Sequence, residues 1–169
     1  MKKLLVATAS ILAAAAGVST AAPGEHAQHQ QELAEVRRAT APYHDVQHAV
    51  ADGYHRLSGC VAVPGLGGMG LHYAKPSLFA APLDPRRPAV LLYAPSGGRL
   101  RLVAVEYFKV DADQDVTTDD DRPSLFGVPF DGPMEGHEEG MPVHYDLHVW
   151  LWQANPNGLF AQFNPNVRC

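Results

Sequence analysis

The chain has 169 residues, 46% of them hydrophobic, and carries a formal net charge of −5 at pH 7. This length fits one domain that can bury a core. An acidic chain without a run of basic residues argues against nucleic acid as a partner. The glycine-rich segment 64–70 lacks the spacing of a phosphate-binding loop, so we expect no nucleotide cofactor.

The first 21 residues have the pattern of a secretory signal peptide. Lys2 and Lys3 precede an apolar run over residues 4–18, and the small residues that end at Ala21 offer a cleavage site. The alternative is a membrane anchor, but the run is shorter than the roughly 20 apolar residues that span a bilayer. We therefore predict a secreted or periplasmic protein, without stable membrane insertion after cleavage.

Two cysteines, Cys60 and Cys169, agree with an oxidising compartment. An even number of cysteines in an exported chain favours a disulfide. A bond between these two would stabilise the fold by about 4–5 kcal/mol in the chain-entropy description, because it closes a long loop. The alternative is a redox or metal-binding thiol pair, although the sequence contains no C-x-x-C motif.

The segment 22–39 is polar and rich in glutamine, which indicates a tail or a weak helix. A single domain is expected over residues 40–169. It opens with a predicted helix over residues 42–56, because proline fits a first helical turn and apolar residues recur at helical spacing. Three histidines lie nearly opposite that apolar face and are expected to face water: His44, His48 and His55.

Apolar segments farther along the chain predict strands. Segments 89–94 and 99–110 flank a turn and predict a hairpin, segment 144–152 predicts another strand, and a short strand is expected over residues 71–74. The pattern is typical of an α+β fold. We predict a single domain with a mainly antiparallel sheet, open or barrel-like, and one N-terminal helix packed on it.

Glu106 interrupts an apolar row on the predicted strand 99–110. Strand residues alternate between two faces, so Glu106 shares its face with Leu100, Leu102, Ala104 and Phe108. An ionised carboxylate in an apolar row is costly without a partner. Two interpretations stay open, namely a structural ion pair with an arginine or lysine, and a metal ligand or catalytic acid/base.

The last predicted strand places His144, Asp146, His148, Trp150 and Trp152 on one face. Two histidines four residues apart on a straight strand are about 13 Å apart, so one ion cannot bind both. His148 lies deeper in the apolar sequence and is the preferred ligand candidate. His144 is the second-tier metal candidate.

His72 directly follows the glycine-rich segment and completes a candidate set with Glu106 and His148. Two imidazoles and one carboxylate suit zinc, or iron and copper with open coordination positions. We predict that these three residues form a metal or ligand site, and that Tyr73 and Trp150 wall its pocket.

Several segments form a recognisable pattern: GMGLHY at 68–73, LVAVEY at 102–107, and LHVWLW at 147–152 with the Asn-Pro pairs at 155 and 164. With them the chain resembles, over about residues 40–169, a family of exported bacterial proteins of uncharacterised activity. The resemblance implies that His72, Glu106 and His148 belong to recurring segments. It implies no activity.

The leading hypothesis is an exported small domain that binds a transition metal or a small ligand at this His/Glu site. The first alternative is a metal-dependent hydrolase or oxygenase, with Glu106 as a ligand or general base. The second is a structural or oligomeric envelope protein without metal, in which the Trp-rich face of the last strand is the interface of a homo-oligomer or partner complex.

Overall fold

The computed structural model describes residues 23–138 and 140–169, so the predicted signal peptide lies outside the described residues. The chain forms one α+β domain, in which an N-terminal helix packs on a six-stranded antiparallel sheet that curls into a half-barrel. The predicted fold class is confirmed. In the described part of the chain, no helix is long and apolar enough to cross a membrane.

The helices and strands follow one another as α1 Pro23–Thr40, a 3-10 turn Ala41–His44, α2 Val46–Ala51, β1 His55–Val63, β2 Gly67–Ala74, a 3-10 turn Pro76–Leu78, β3 Val90–Ser96, β4 Arg99–Val110, β5 Ser124–Leu125, β6 Val128–Pro129, β7 Asp131–Met134 and β8 His144–Val149. The strand order in the main sheet is β1-β2-β3-β4-β8-β7, and β5 and β6 form a separate hairpin. Strand β4 therefore lies inside the sheet, between β3 and β8.

Helix α1 occupies the segment for which the sequence indicates a tail or a weak helix. Its residues Leu33 and Val36 are buried in the core, and Thr40 donates a hydrogen bond from Oγ1 to the Val36 carbonyl at 2.8 Å. Most of the helix surface is polar, so its stability comes from this tertiary packing rather than from a regular apolar stripe.

The predicted helix over residues 42–56 is wrong in its extent. The chain is extended at Asp45, whose side chain accepts a hydrogen bond from the Gln47 N–H at 2.9 Å and so caps a new, six-residue helix α2. Gly53 follows with φ +91°, and β1 begins at His55. The three histidines of the expected helical stripe therefore lie on three different elements.

The main sheet carries apolar side chains on both faces. One face packs against α1, α2 and the β5–β6 hairpin, and the opposite face carries Glu106. The β3–β4 register shifts between Leu92 and Tyr93, which breaks the alternation of β4. Leu100 and Leu102 consequently pack on the face opposite Glu106, and the prediction that they share its face is wrong.

The predicted disulfide joins Cys60 on β1 to Cys169, with an S–S distance of 2.04 Å. It connects residues separated by 109 positions. The alternative of a metal-binding or redox-active thiol pair is wrong for this structure, because the two sulfurs are bonded to each other. A disulfide is compatible with an oxidising compartment, while export itself stays a prediction.

Candidate functional site

Three strands bring together the side chains of His72, Glu106 and His148. Glu106 on β4 is directly opposite His148 on β8, and His72 on β2 reaches Glu106 across β3. The Oε2 atom of Glu106 lies 3.6 Å from Nε2 of His72 and 3.8 Å from Nε2 of His148. One ligand atom from each residue lies within 4.8 Å of the others, so the predicted set converges in space.

The gaps between these atoms are close to those of a metal site. Both exceed the length of a hydrogen bond. A tetrahedral ion with ligands at ~2.0–2.2 Å holds its ligand atoms roughly 3.3–3.6 Å apart. The His72–Glu106 gap of 3.6 Å reaches the upper end of this range, and the His148–Glu106 gap of 3.8 Å is slightly wider. Glu106 Oε2 and His148 Nε2 are buried and have no hydrogen-bond partner among the described residues. Polar atoms that would otherwise need partners therefore surround a space suited to a cation.

Ser58 orients His72 towards Glu106. Its hydroxyl donates to the Gly59 carbonyl at 2.8 Å, and its Oγ lies 2.9 Å from Nδ1 of His72. A hydroxyl has one proton to donate, so Ser58 Oγ accepts from the Nδ1–H of His72. The lone pair of the imidazole is therefore on Nε2, the atom that faces Glu106. Ser58 lies where the β1–β2 register shifts between Arg56 and Cys60, and no pattern in the sequence marks it as part of the site.

Burial and neighbouring charges set the protonation of the three side chains. Burial raises the pKa of Glu106 to about 7, with His148 opposing the rise and Asp146 adding to it. Burial also lowers the pKa of His72 to about 3, so its ring is neutral at pH 7. For His148, burial lowers the pKa, but the charges of Asp146 and Glu106 outweigh it and raise the pKa to about 9. His72 can thus donate its lone pair at neutral pH, whereas His148 must lose a proton to bind a metal.

A cavity of about 280 Å³ opens beside this cluster. The polar side chains of the cluster contribute to its lining, and most of the other lining residues are apolar: Leu57, Val61, Met69, Phe79, Met141 and Phe163. Pockets of this kind bind small molecules whose apolar parts are buried while a few polar groups fix their orientation. A small, largely apolar ligand could therefore reach the His/Glu cluster.

The prediction that Tyr73 and Trp150 wall the pocket is wrong. Tyr73 follows His72 on the strand and points to the opposite face, where its ring packs at 5.1 Å from that of Tyr93. Trp150 follows the end of β8, is 3% exposed, and donates from its indole N–H to the Ala161 carbonyl. It packs among apolar core residues rather than along the cavity.

A second group of candidate ligands lines the same cavity. It consists of His137, His144 and Asp146, and one ligand atom from each lies within 4.8 Å of the others. The sequence analysis predicted His144 as a less favoured ligand and assigned no role to Asp146. The H-x-D-x-H spacing could have indicated Asp146, because it places all three side chains on one face of the strand. His137 lies in the loop between β7 and β8, where no periodic pattern marks it.

The histidines predicted around the early helix are not part of either group. His44 packs edge-on against Trp152 at 4.3 Å, His48 is exposed with Nδ1 at 3.2 Å from the Pro42 carbonyl, and His55 is exposed on β1. All three are exposed, so their expected contact with water is confirmed.

Comparisons of the chain with protein-family models, with curated proteins and with solved structures found no match. The structure itself describes a single α+β domain with a half-barrel sheet, in which a largely buried cluster of two imidazoles and one carboxylate lines a cavity with mainly apolar walls.

Proposed function

We propose that this protein is an exported metal-binding protein, which holds one transition-metal ion with His72, Glu106 and His148. The proposal is carried by the gap of 3.6 Å between Nε2 of His72 and Oε2 of Glu106. The imidazole presents a lone pair to the carboxylate, and two acceptors repel one another unless a proton or a cation lies between them. At 3.6 Å the gap is too wide for a shared proton and suits a cation.

A purely structural ion pair explains the geometry less well. Charge-assisted hydrogen bonds between a histidine and a carboxylate close to about 2.7–2.9 Å. The His148–Glu106 distance is 3.8 Å, and Oε2 of Glu106 has no hydrogen-bond partner among the described residues. The basic side chains that lie next to Glu106 are two histidines, not the arginine or lysine that a structural ion pair was expected to use.

Zinc, iron and copper remain the candidate metals. Two histidines and one glutamate form the ligand set of several catalytic zinc sites, which keep a fourth position open for water or substrate. The same set with open positions also suits iron or copper. The cavity beside the cluster supports an open position, since it leaves room next to the three ligand atoms.

Metal analysis of the full chain, purified without an affinity tag, tests the proposal. We expect tight binding of added Zn²⁺ by the parent protein, and loss of the tight site in Glu106→Gln and His72→Ala. His55→Ala is the matched control, because His55 is exposed and lies outside both ligand groups. Equal Zn²⁺ binding by the parent and by both site variants would overturn the proposal.

The second candidate function is a metal-dependent hydrolase or oxygenase at the same site. The apolar cavity supports it, because it would hold a small substrate against the metal. Glu106 would then serve as a ligand or as a general base. Turnover of small esters or oxygen-dependent turnover by the metal-loaded protein, lost in Glu106→Gln, would distinguish an enzyme from a metal carrier.

The structural alternative with a Trp-rich interface has less support. Trp150 is buried, and the indole N–H of Trp152 donates to Thr40 Oγ1 at 3.3 Å. Both indoles therefore make contacts within the chain. A homo-oligomer remains a prediction, which light scattering of the purified protein tests directly.

A further inference from the structure

We propose that the same cavity holds a second metal site, formed by His137, His144 and Asp146. One ligand atom from each of these residues lies within 4.8 Å of the others. Two imidazoles and one carboxylate again form the donor set, which suits a divalent transition metal such as Zn²⁺. The proposal rests on the geometry of these three residues, and it does not require the first site to be occupied.

His144 is held in the orientation that a ligand needs. Its Nδ1 lies 3.0 Å from the Pro142 carbonyl, and a carbonyl can only accept, so Nδ1 carries the proton and Nε2 the lone pair. The ring stacks on Phe108, with centroids 4.5 Å apart and planes 18° apart. A backbone hydrogen bond that fixes the tautomer and orientation of the ring is a usual feature of metal-binding histidines.

Asp146 lies between the two ligand groups. The residue is 3% exposed, and its Oδ1 atom has no hydrogen-bond partner among the described residues. The same Oδ1 is 3.5 Å from Nδ1 of His148, whose Nε2 faces the first site. Asp146 is thus placed to bind the second ion, and its charge lies beside the His148 ligand of the first site.

His137 completes the second site from the loop between β7 and β8. It is exposed, and its ring lies 5.0 Å from that of His144 at an angle of 81°. Because this ligand comes from a loop rather than from a strand, more conformational freedom is lost when the ion binds. We therefore expect the second site to bind Zn²⁺ more weakly than the first.

Zn²⁺ titration of the untagged full chain by calorimetry, with the protein stripped of metal beforehand, tests this proposal. The parent should bind two ions, and His137→Ala should bind one, with the tighter site unchanged. His137 is exposed, so its replacement leaves the core intact. His55→Ala should still bind two ions. Asp146→Ala should abolish the second site, because it removes the only carboxylate of that ligand group.

The outcomes separate this proposal from the proposed function. His72→Ala and Glu106→Gln each remove a ligand of the first site. If such a variant still binds one ion, and adding His137→Ala abolishes that binding, the second site exists independently of the first. If the parent binds a single ion that His137→Ala removes, the second site stands and the first fails. If the parent and His137→Ala bind Zn²⁺ with the same stoichiometry and affinities, the second site is overturned.

Discussion

Ser58 Oγ lies 2.9 Å from Nδ1 of His72, although the two residues are 14 positions apart on neighbouring strands. This contact fixes the ring and directs its Nε2 atom to Glu106. Loss of such a supporting hydrogen bond typically costs about 10–100-fold in metal affinity. We predict that Ser58→Ala lowers Zn²⁺ affinity by this factor, as measured by competition with a chromophoric chelator. Ser96→Ala, which changes an exposed serine, should bind like the parent, and unchanged affinity in Ser58→Ala would contradict the assigned role.

Glu106 should make the stability of the metal-free protein fall as the pH rises. Its pKa is raised from 4.5 to about 7, so the stability linked to its protonated form is fully present below pH 4.5 and is lost as pH rises through 7. Relative to Glu106→Gln, the parent should lose up to about 3 kcal/mol of unfolding free energy between pH 4.5 and pH 8. Urea unfolding with a chelator present measures this difference. Glu135→Gln, at an exposed position, should track the parent, and a pH-independent difference for Glu106→Gln would contradict the prediction.

Gly70 is required by the close approach of β2 to β3. Its φ is +100°, and a Cβ placed there would lie 2.5 Å from the Tyr93 carbonyl oxygen. Because backbone atoms cannot move aside cheaply, Gly70→Ala should destabilise the fold by about 2 kcal/mol or more. It should also weaken Zn²⁺ binding, since His72 is two residues away. Gly59→Ala is the control, because its Cβ would meet no heavy atom of the described chain within 4 Å, and equal melting temperatures for the two variants would refute the prediction.

The disulfide should contribute substantially to stability. It connects Cys60 to Cys169 across 109 positions, and loss of a bond that closes so long a loop costs roughly 2–5 kcal/mol. The double change Cys60→Ser and Cys169→Ser should therefore lower the urea midpoint by a corresponding amount. The parent protein under strong reductant should show the same loss. An unchanged midpoint in both experiments would mean that the crosslink adds nothing to the folded state.

Buried tyrosines should couple alkaline unfolding to phenol ionisation. The hydroxyls of Tyr54, Tyr93 and Tyr107 donate to backbone carbonyls, and burial raises the pKa of each well above 10. The stability they contribute is present below pH 10 and is lost as the pH rises above it, because the unfolded chain releases these protons first. Tyrosinate absorption should therefore appear together with loss of circular dichroism. In urea the same groups should ionise near pH 10, and ionisation of all six tyrosines of the folded protein at that pH without unfolding would contradict the prediction.

Features that depend on local periodicity and composition could be predicted from the amino-acid sequence. Glu106 interrupts an apolar row, and this made it a candidate before its partners were known. The alternation of β8 correctly placed His144, Asp146 and His148 on one face. The α+β class and the Cys60–Cys169 disulfide also followed from strand patterns and from the number of cysteines.

The remaining features depend on contacts between distant segments. Tertiary packing pairs β8 with β4, brings His72 to Glu106 across β3, and turns Leu102 away from that face where the β3–β4 register shifts. It also brought Ser58 and His137 to the site from an irregular strand and a loop. Strand pairing, register and loop position arise from non-local packing, for which the local pattern of the chain carries no signal.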